Sequence, residues 1–171
     1  SDFMIIRELI HLLQLLVLVS LQVLVFNHMH LFGYATPMVY ICFLLYFPLN
    51  YSRCGILFWG FIIGLLTDIF SNTPGVGAAS TTLAAMLQPV LLRAMAPKDS
   101  TEDMMPNFQT MGYGNYARFF IILIVIHHLL VFLLESFSYF DSLYLVLSCA
   151  SSIVLTTSIV WAMEHLLNRK S

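Results

Sequence analysis

The most informative segment of the chain is a long apolar run that ends in a turn. Residues 54–70 read CGILFWGFIIGLLTDIF, and residues 71–77 read SNTPGVG. Such a run is at the short end of what crosses the hydrocarbon of a bilayer, about 17–25 residues at about 1.5 Å each. Gly60 and Gly64 share one face of the helix, and Asp68 continues that face one turn later. The segment therefore predicts a membrane-spanning helix with a face on which a second helix can pack closely.

The composition of the whole chain supports a membrane location. Of its 171 residues, 60% are hydrophobic and 9% are charged, and the net charge is −2. A soluble domain carries about a quarter charged residues and just under half apolar ones, and a globule of this size has too little interior to hide the excess. A soluble enzyme, a nucleic-acid-binding protein and a disordered chain are therefore excluded. The solvent for most of this surface is predicted to be membrane lipid.

Apolar segments predict six membrane-spanning α-helices in a single membrane domain, residues 1–171. Residues 36–70 could instead form one long helix, but that would place Arg53 within the hydrocarbon, at a cost of a few kcal/mol or more. Two helices joined by a turn avoid that cost. The polar residues 97–115 form the longest predicted loop, on the cytoplasmic side. The six predicted spans cover about residues 5–26, 36–51, 54–70, 74–96, 116–137 and 140–167.

The basic residues predict the orientation of these spans. In a six-span arrangement all seven Lys and Arg residues fall on the side of the two termini, and the opposite connections contain none. Because Lys and Arg are enriched on the cytoplasmic side of membrane proteins, both termini are predicted to be cytoplasmic. Five or seven spans would break this segregation. The first apolar run is too long for a signal-peptide core, which predicts a retained helix.

Polar residues inside the spans allow two interpretations. Glu8, His11, Gln14 and Gln22 share one face of the first span, where they could line a ligand site or form hydrogen bonds between helices, and the second is favoured. In the fifth span, His128 lies two turns before Glu135, without further ligands at metal-binding spacing. No catalytic residue, metal site or cofactor is predicted, and the chain is not expected to be an enzyme.

Asp68 is predicted to hold two helices together. Thr73 is a plausible N-cap for the next helix, with Pro74 at its first position. The free N–H groups at that helix start are the expected partners of the Asp68 carboxylate. A proton-carrying role is the alternative. A structural role predicts that Asp68→Asn is mild and Asp68→Leu severe, whereas proton coupling predicts that Asn already abolishes function.

The chain resembles the MreD family, small membrane subunits of the bacterial rod-shape complex. The resemblance rests on Gly60-x3-Gly64-Leu65-x2-Asp68-x-Phe70 followed by Pro74-x2-Gly77, and on the length and apolar layout of the whole chain. It implies an architecture similar to the substrate-capture subunits of energy-coupling-factor vitamin transporters, with six helices around an outward-facing cavity. It assigns packing and partner contacts to Gly60, Gly64, Asp68, Pro74 and Gly77.

The resemblance also implies a function. MreD is a non-enzymatic scaffold of the cytoplasmic (inner) membrane that binds MreC and, through it, the elongation transpeptidase, RodA and MreB, and so helps to direct peptidoglycan synthesis along the lateral wall. Whether the chain forms a homo-oligomer is left open. The alternative function is a solute-binding membrane subunit of an energy-coupling-factor transporter, because one architecture can serve unrelated roles. Such a carrier would need several polar groups that converge on an outer pocket.

Overall fold

The structure is a computed structural model that describes residues 2–24, 37–137 and 141–168. Within these residues the chain forms helices and no strand. A 3₁₀ helix, Val39–Tyr46, lies between the first two α-helices. The α-helices are α1 (Asp2–Leu24), α2 (Arg53–Ser71), α3 (Val76–Met95), α4 (Phe108–Met111), α5 (Tyr113–Ser136) and α6 (Ser142–Asn168).

Four of these helices are long and apolar enough to cross a membrane, namely α1, α2, α5 and residues Ser142–Leu167 of α6. They correspond to the first, third, fifth and sixth predicted spans, so the prediction of an all-helical membrane protein is supported. By length and composition, four helices among the described residues qualify as spans, rather than the predicted six. The fourth predicted span is the helix α3, whose 20 residues include buried Ser80, Thr81 and Gln88 and which is not among the four.

The prediction of an α-helix over residues 36–51 is wrong. The segment forms the eight-residue 3₁₀ helix, and Phe47 after it is extended, as expected for a residue that precedes a proline such as Pro48. An α-helix of that segment would be only about 24 Å long at about 1.5 Å per residue, whereas a 3₁₀ helix rises about 2 Å per residue. Residues 39–45 are all buried, so the segment is held by packing on every side, as expected for a helix that is apolar all round.

Side chains from distant helices hold the start of the 3₁₀ helix. Nε2 of Gln22 donates to the carbonyl of Pro37 at 2.9 Å, and its Oε1 accepts from the backbone N–H of Val39 at 2.8 Å. The N–H of Met38 donates to Oγ1 of Thr156 on α6 at 3.1 Å. These contacts satisfy backbone groups that the helix itself leaves free. For Gln22, the polar face predicted on the first span serves hydrogen bonding within the bundle.

The helices pack in sequence around the 3₁₀ helix, and the most extensive contact joins α2 to α3. The core is rich in aromatic side chains with no solvent exposure, including Phe43, Phe47, Phe119 and Phe120. The outer face of α1 remains apolar and exposed, as a lipid-facing surface requires.

The predicted loop over residues 97–115 contains a helix that the sequence analysis did not predict. Asn107 accepts from the N–H groups of Gln109 and Thr110, both at 2.8 Å, and so caps α4. The side chains of Phe108 and Met111 are buried. The loop therefore packs against one end of the bundle, since α4 contacts α5.

Candidate functional site at the turn between α2 and α3

The glycine face of α2 packs directly on the backbone of α3. A Cβ atom at Gly64 would lie 2.5 Å from the carbonyl oxygen of Gly77 and 2.7 Å from Cα of Ala78. At Gly60, a Cβ atom would lie 2.7 Å from Cβ of Ala85. Because the neighbours of Gly64 are backbone atoms, they cannot move aside as the end of a side chain can. The sequence analysis left open whether this face meets a helix of the chain or of a partner, and α3 occupies it.

The Asp68 carboxylate joins the end of α2 to the start of α3. The residue is buried, with 3% of its surface exposed. Its Oδ1 accepts from Oγ1 of Thr73 at 3.0 Å and from the N–H of Gly77 at 2.7 Å. Its Oδ2 accepts from the N–H groups of Gly75 at 3.1 Å and Ala78 at 2.9 Å. Four donors therefore converge on one carboxylate, and three of them are backbone groups at a helix N-terminus, where negative charge is stabilised.

Two residues with positive φ make this convergence possible. Asn72 ends α2 with φ 58°, and Gly75 precedes α3 with φ 86°. The left-handed region favours glycine, and asparagine tolerates it better than most residues do. The chain therefore reverses direction within a few residues, which returns the start of α3 to the side of α2 that carries Asp68.

The predicted cap at this turn is wrong. The helix α3 begins at Val76, after Gly75, rather than at Pro74 after a Thr73 cap. An N-cap side chain normally accepts from the second or third N–H of its helix. Here those donors, on Gly77 and Ala78, point at the carboxylate of the preceding helix. Asp68 thus takes the role of the capping side chain, and Pro74 lies exposed in the turn.

The structure brings together four of the five residues predicted for this site. Gly60, Gly64 and Asp68 line one face of α2. Gly77 of α3 lies against Gly64 and Asp68, and Gly60 meets Thr81 and Ala85 of the same helix. A Cβ atom at Gly77 would lie 2.5 Å from Oδ1 of Asp68, so the absence of a side chain there gives the carboxylate its room. Pro74 is in the connecting turn.

This geometry limits what the Asp68 carboxylate can do chemically. Two carboxylate oxygens offer about four acceptor positions, and four donors use them. Little acceptor capacity is left for a metal ion or a substrate. Within the part of the chain that the structure describes, no group of three or more His, Cys, Asp or Glu residues could hold a metal ion.

A second polar cluster lies inside the bundle, and the sequence analysis did not predict it. Nε2 of His127 lies 3.1 Å from the hydroxyl of Tyr40 and 3.4 Å from Oγ1 of Thr81. Its neighbour His128 bonds to the carbonyl of Ile124 at 2.9 Å and to Oγ1 of Thr156 at 3.1 Å. Tyr40, Thr81, the two histidines and Thr156 come from four different helices, so no local spacing could have revealed the cluster.

A third cluster surrounds Glu8 near the start of α1. The hydroxyl of Tyr51 lies 2.9 and 3.0 Å from the two carboxylate oxygens, and Nε1 of Trp59 donates to Oε2 at 3.0 Å. One turn further along α1, the His11 ring stacks on Phe47 with ring centroids 4.5 Å apart. The polar face predicted on the first span therefore anchors α1 to α2 and to residues 37–51, which contain the 3₁₀ helix and are called the 3₁₀ segment below.

Four helices long and apolar enough to cross a membrane, with an exposed apolar outer face on α1, place this chain in the class of all-α, multi-pass membrane proteins. Comparison with known proteins adds no family to that class, since no family model, no curated protein and no solved structure matches the chain.

Proposed function

We propose that the chain is a non-enzymatic membrane scaffold of the MreD kind, which binds MreC in the bacterial cytoplasmic membrane and helps to direct lateral-wall peptidoglycan synthesis. The observation that carries the proposal is the joint use of the motif residues. Three of the residues that carry the resemblance pack together, because Gly64 and Asp68 of α2 both contact Gly77 of α3. Motif residues that serve helix packing suit a scaffold, because a scaffold functions by presenting a surface to partner proteins.

The proposed topology has six crossings with both termini cytoplasmic. The 3₁₀ segment supports a crossing, because one end bonds to Gln22 of α1 and Tyr51 at the other bonds to Glu8. Gln22 follows Glu8 by 14 positions in α1, which corresponds to about 21 Å along the helix. The 20-residue α3 is about 30 Å long. These two segments, added to the four apolar helices, make six.

The distribution of positive charge also supports this topology. The amide of Asn50 donates to Asp103 at 2.6 Å, and the N–H of Leu49 donates to the carbonyl of Met104 at 3.1 Å. These contacts join the end of the 3₁₀ segment to the 97–115 loop. The described Lys and Arg residues flank this end of the bundle, which the positive-inside rule makes cytoplasmic; they are Arg7, Arg53, Arg93, Lys98 and Arg118.

Co-purification from native bacterial membranes tests the proposed function. With an affinity tag on the chain, we expect recovery of a single-span membrane protein with a periplasmic domain, as the proposed MreC partner requires. Gly64→Leu should reduce this recovery by disturbing the α2–α3 surface, and Gly114→Ala, at a site with open space around it, should not. Recovery of ATPase subunits in place of a single-span protein would contradict the scaffold.

The alternative, a solute-binding transporter subunit, has one observation in its favour. The His127 ring is buried, and its Nδ1 has no hydrogen-bond partner among the described residues. A small polar solute could accept or donate there. Against this, Nε2 of His127 is engaged by Tyr40 and Thr81, so a solute would have to compete with contacts inside the chain. The ATPase outcome of the same co-purification is the result that this alternative predicts.

A further inference from the structure

The outer face of α1 carries a groove that is not part of the α2–α3 site. The groove has a volume of about 420 Å³ and an almost wholly apolar wall, and Glu8 is the charged residue among those that line it. Trp59 of α2 forms the opposite side. The remaining lining residues, all on α1, are Met4, Ile5, Leu9 and Leu12.

Two oppositely charged side chains lie at one end of this groove. The Glu8 side chain, which borders the groove, is 42% exposed, so it is not enclosed by the protein. Its hydrogen bonds come from two neutral donors, Tyr51 and Trp59. A positive charge lies close by on Arg7, whose Nε is 3.8 Å from Oε1 of Glu8 and whose guanidinium carbon is 5.0 Å from the centre of the Tyr51 ring. A negative group and a positive group therefore lie side by side at the end of an apolar groove.

The apolar surface continues along the same face of α1 beyond the groove, because the exposed Leu16 lies one turn after Leu12. Half of the hydrocarbon thickness is about 15 Å, which corresponds to about ten residues of α-helix. An acyl chain that starts beside Glu8 would therefore extend past Leu16 along this face. Trp59 and Tyr51 at the charged end are the residue types enriched where hydrocarbon meets headgroups.

We propose that this groove binds a phosphatidylethanolamine molecule. Its primary ammonium donates to the Glu8 carboxylate, its phosphate lies toward Arg7, and one acyl chain follows the apolar face of α1. Phosphatidylglycerol has no positive group for Glu8. The quaternary ammonium of phosphatidylcholine has no N–H to donate. The adjacent opposite charges thus match a zwitterionic headgroup that can also donate hydrogen bonds.

Native mass spectrometry of the purified chain tests the proposal with phosphatidylethanolamine, phosphatidylglycerol and phosphatidylcholine of identical acyl chains. We expect phosphatidylethanolamine to be retained about three- to fivefold more than either of the others, the range for a partly exposed ion pair. Glu8→Gln should abolish this preference. Glu102→Gln, on an exposed loop residue, should preserve it. Equal retention of the three lipids, or a preference that survives Glu8→Gln, would overturn the proposal.

A second pair of variants keeps the proposal testable if Glu8→Gln fails to fold. Leu9 lines the groove and Leu13, one turn later, does not, although both are exposed. Leu9→Trp should fill the groove and reduce lipid retention, and Leu13→Trp should leave it unchanged. A photoreactive side chain at position 9 in native membranes should cross-link to lipid. A cross-link to one protein of defined mass would overturn the proposal and assign the groove to a partner helix.

Discussion

Gly64 and Gly77 each occupy space that a side chain on the other would need. A Cβ atom at Gly64 would lie 2.5 Å from the carbonyl oxygen of Gly77, and a Cβ atom at Gly77 would lie 3.1 Å from the carbonyl oxygen of Gly64. The two helices are therefore in backbone contact at this point. That closeness brings the N–H groups of α3 within reach of Asp68.

Gly64→Ala is expected to destabilise the bundle by about 1–3 kcal/mol, the usual cost of overpacking. The added methyl group would push α3 away and lengthen the hydrogen bonds to Asp68. Thermal unfolding in detergent, read as monodisperse protein left after heating, measures the change. Gly114→Ala is the matched control, because nothing lies within 4 Å of a Cβ atom there. A Gly64→Ala protein as stable as the control would show that α2 and α3 are not in backbone contact.

Asp68→Asn is expected to be harmful, in contrast to the mild effect that the sequence alone suggested. Both carboxylate oxygens accept from two donors each. An asparagine presents an NH₂ group in place of one oxygen, so at least two donors would face another donor. A buried donor left without a partner costs about 1–3 kcal/mol. Asp68→Leu removes both acceptors and should be worse, as membrane abundance of the two variants will report.

Asp141→Asn provides the control for the loss of a carboxylate. Oδ1 of Asp141 accepts from the N–H of Tyr144 at 3.2 Å at the exposed start of α6. Asparagine is as good an N-cap as aspartate, so abundance should not change. If Asp68→Asn instead left the protein folded and abundant but without function in shape complementation, the carboxylate would have a charge-based role.

Gln22→Leu is expected to loosen the start of the 3₁₀ helix. The leucine removes the acceptor for the N–H of Val39 and the donor to the carbonyl of Pro37, and each buried group without a partner costs about 1–3 kcal/mol. Gln14→Leu is the control, because Gln14 bonds at 3.3 Å to His11 of its own helix rather than to the start of the 3₁₀ helix. Faster proteolysis between residues 37 and 51 in Gln22→Leu than in Gln14→Leu is the measurement. Equal rates would contradict the role of Gln22.

Reporter fusions test the proposed six crossings. Fusions at Arg53 and Ser171 should report cytoplasm, and a fusion at Asn72 should report the outside, because the basic residues lie on the side of the termini. A fusion after Lys170 that reports the outside would contradict an even number of crossings.

Features that depend on neighbouring residues could be predicted without the structure. The third predicted span, about residues 54–70, matches α2, Arg53–Ser71, within one residue at each end. The apolar run, the polar turn after it and the glycine spacing are all local, and burial of apolar surface in lipid acts on every such run in the same way. The same reasoning indicated that Asp68 would meet the N–H groups at the start of the following helix.

Features that depend on distant residues required the tertiary structure. Tyr40 and His127 are 87 residues apart in the chain, and neither residue type at its own position signals the other. The 3₁₀ form of Val39–Tyr46 is decided by helices on all sides and by Gln22, which satisfies backbone groups at the start of the segment. Asp68 replaces Thr73 as the cap for the same reason: the close approach of α2 and α3 places a stronger, charged acceptor at the helix start. Composition and local spacing thus determined the membrane environment and the four long apolar helices, whereas only the packing of distant helices decided which polar groups pair.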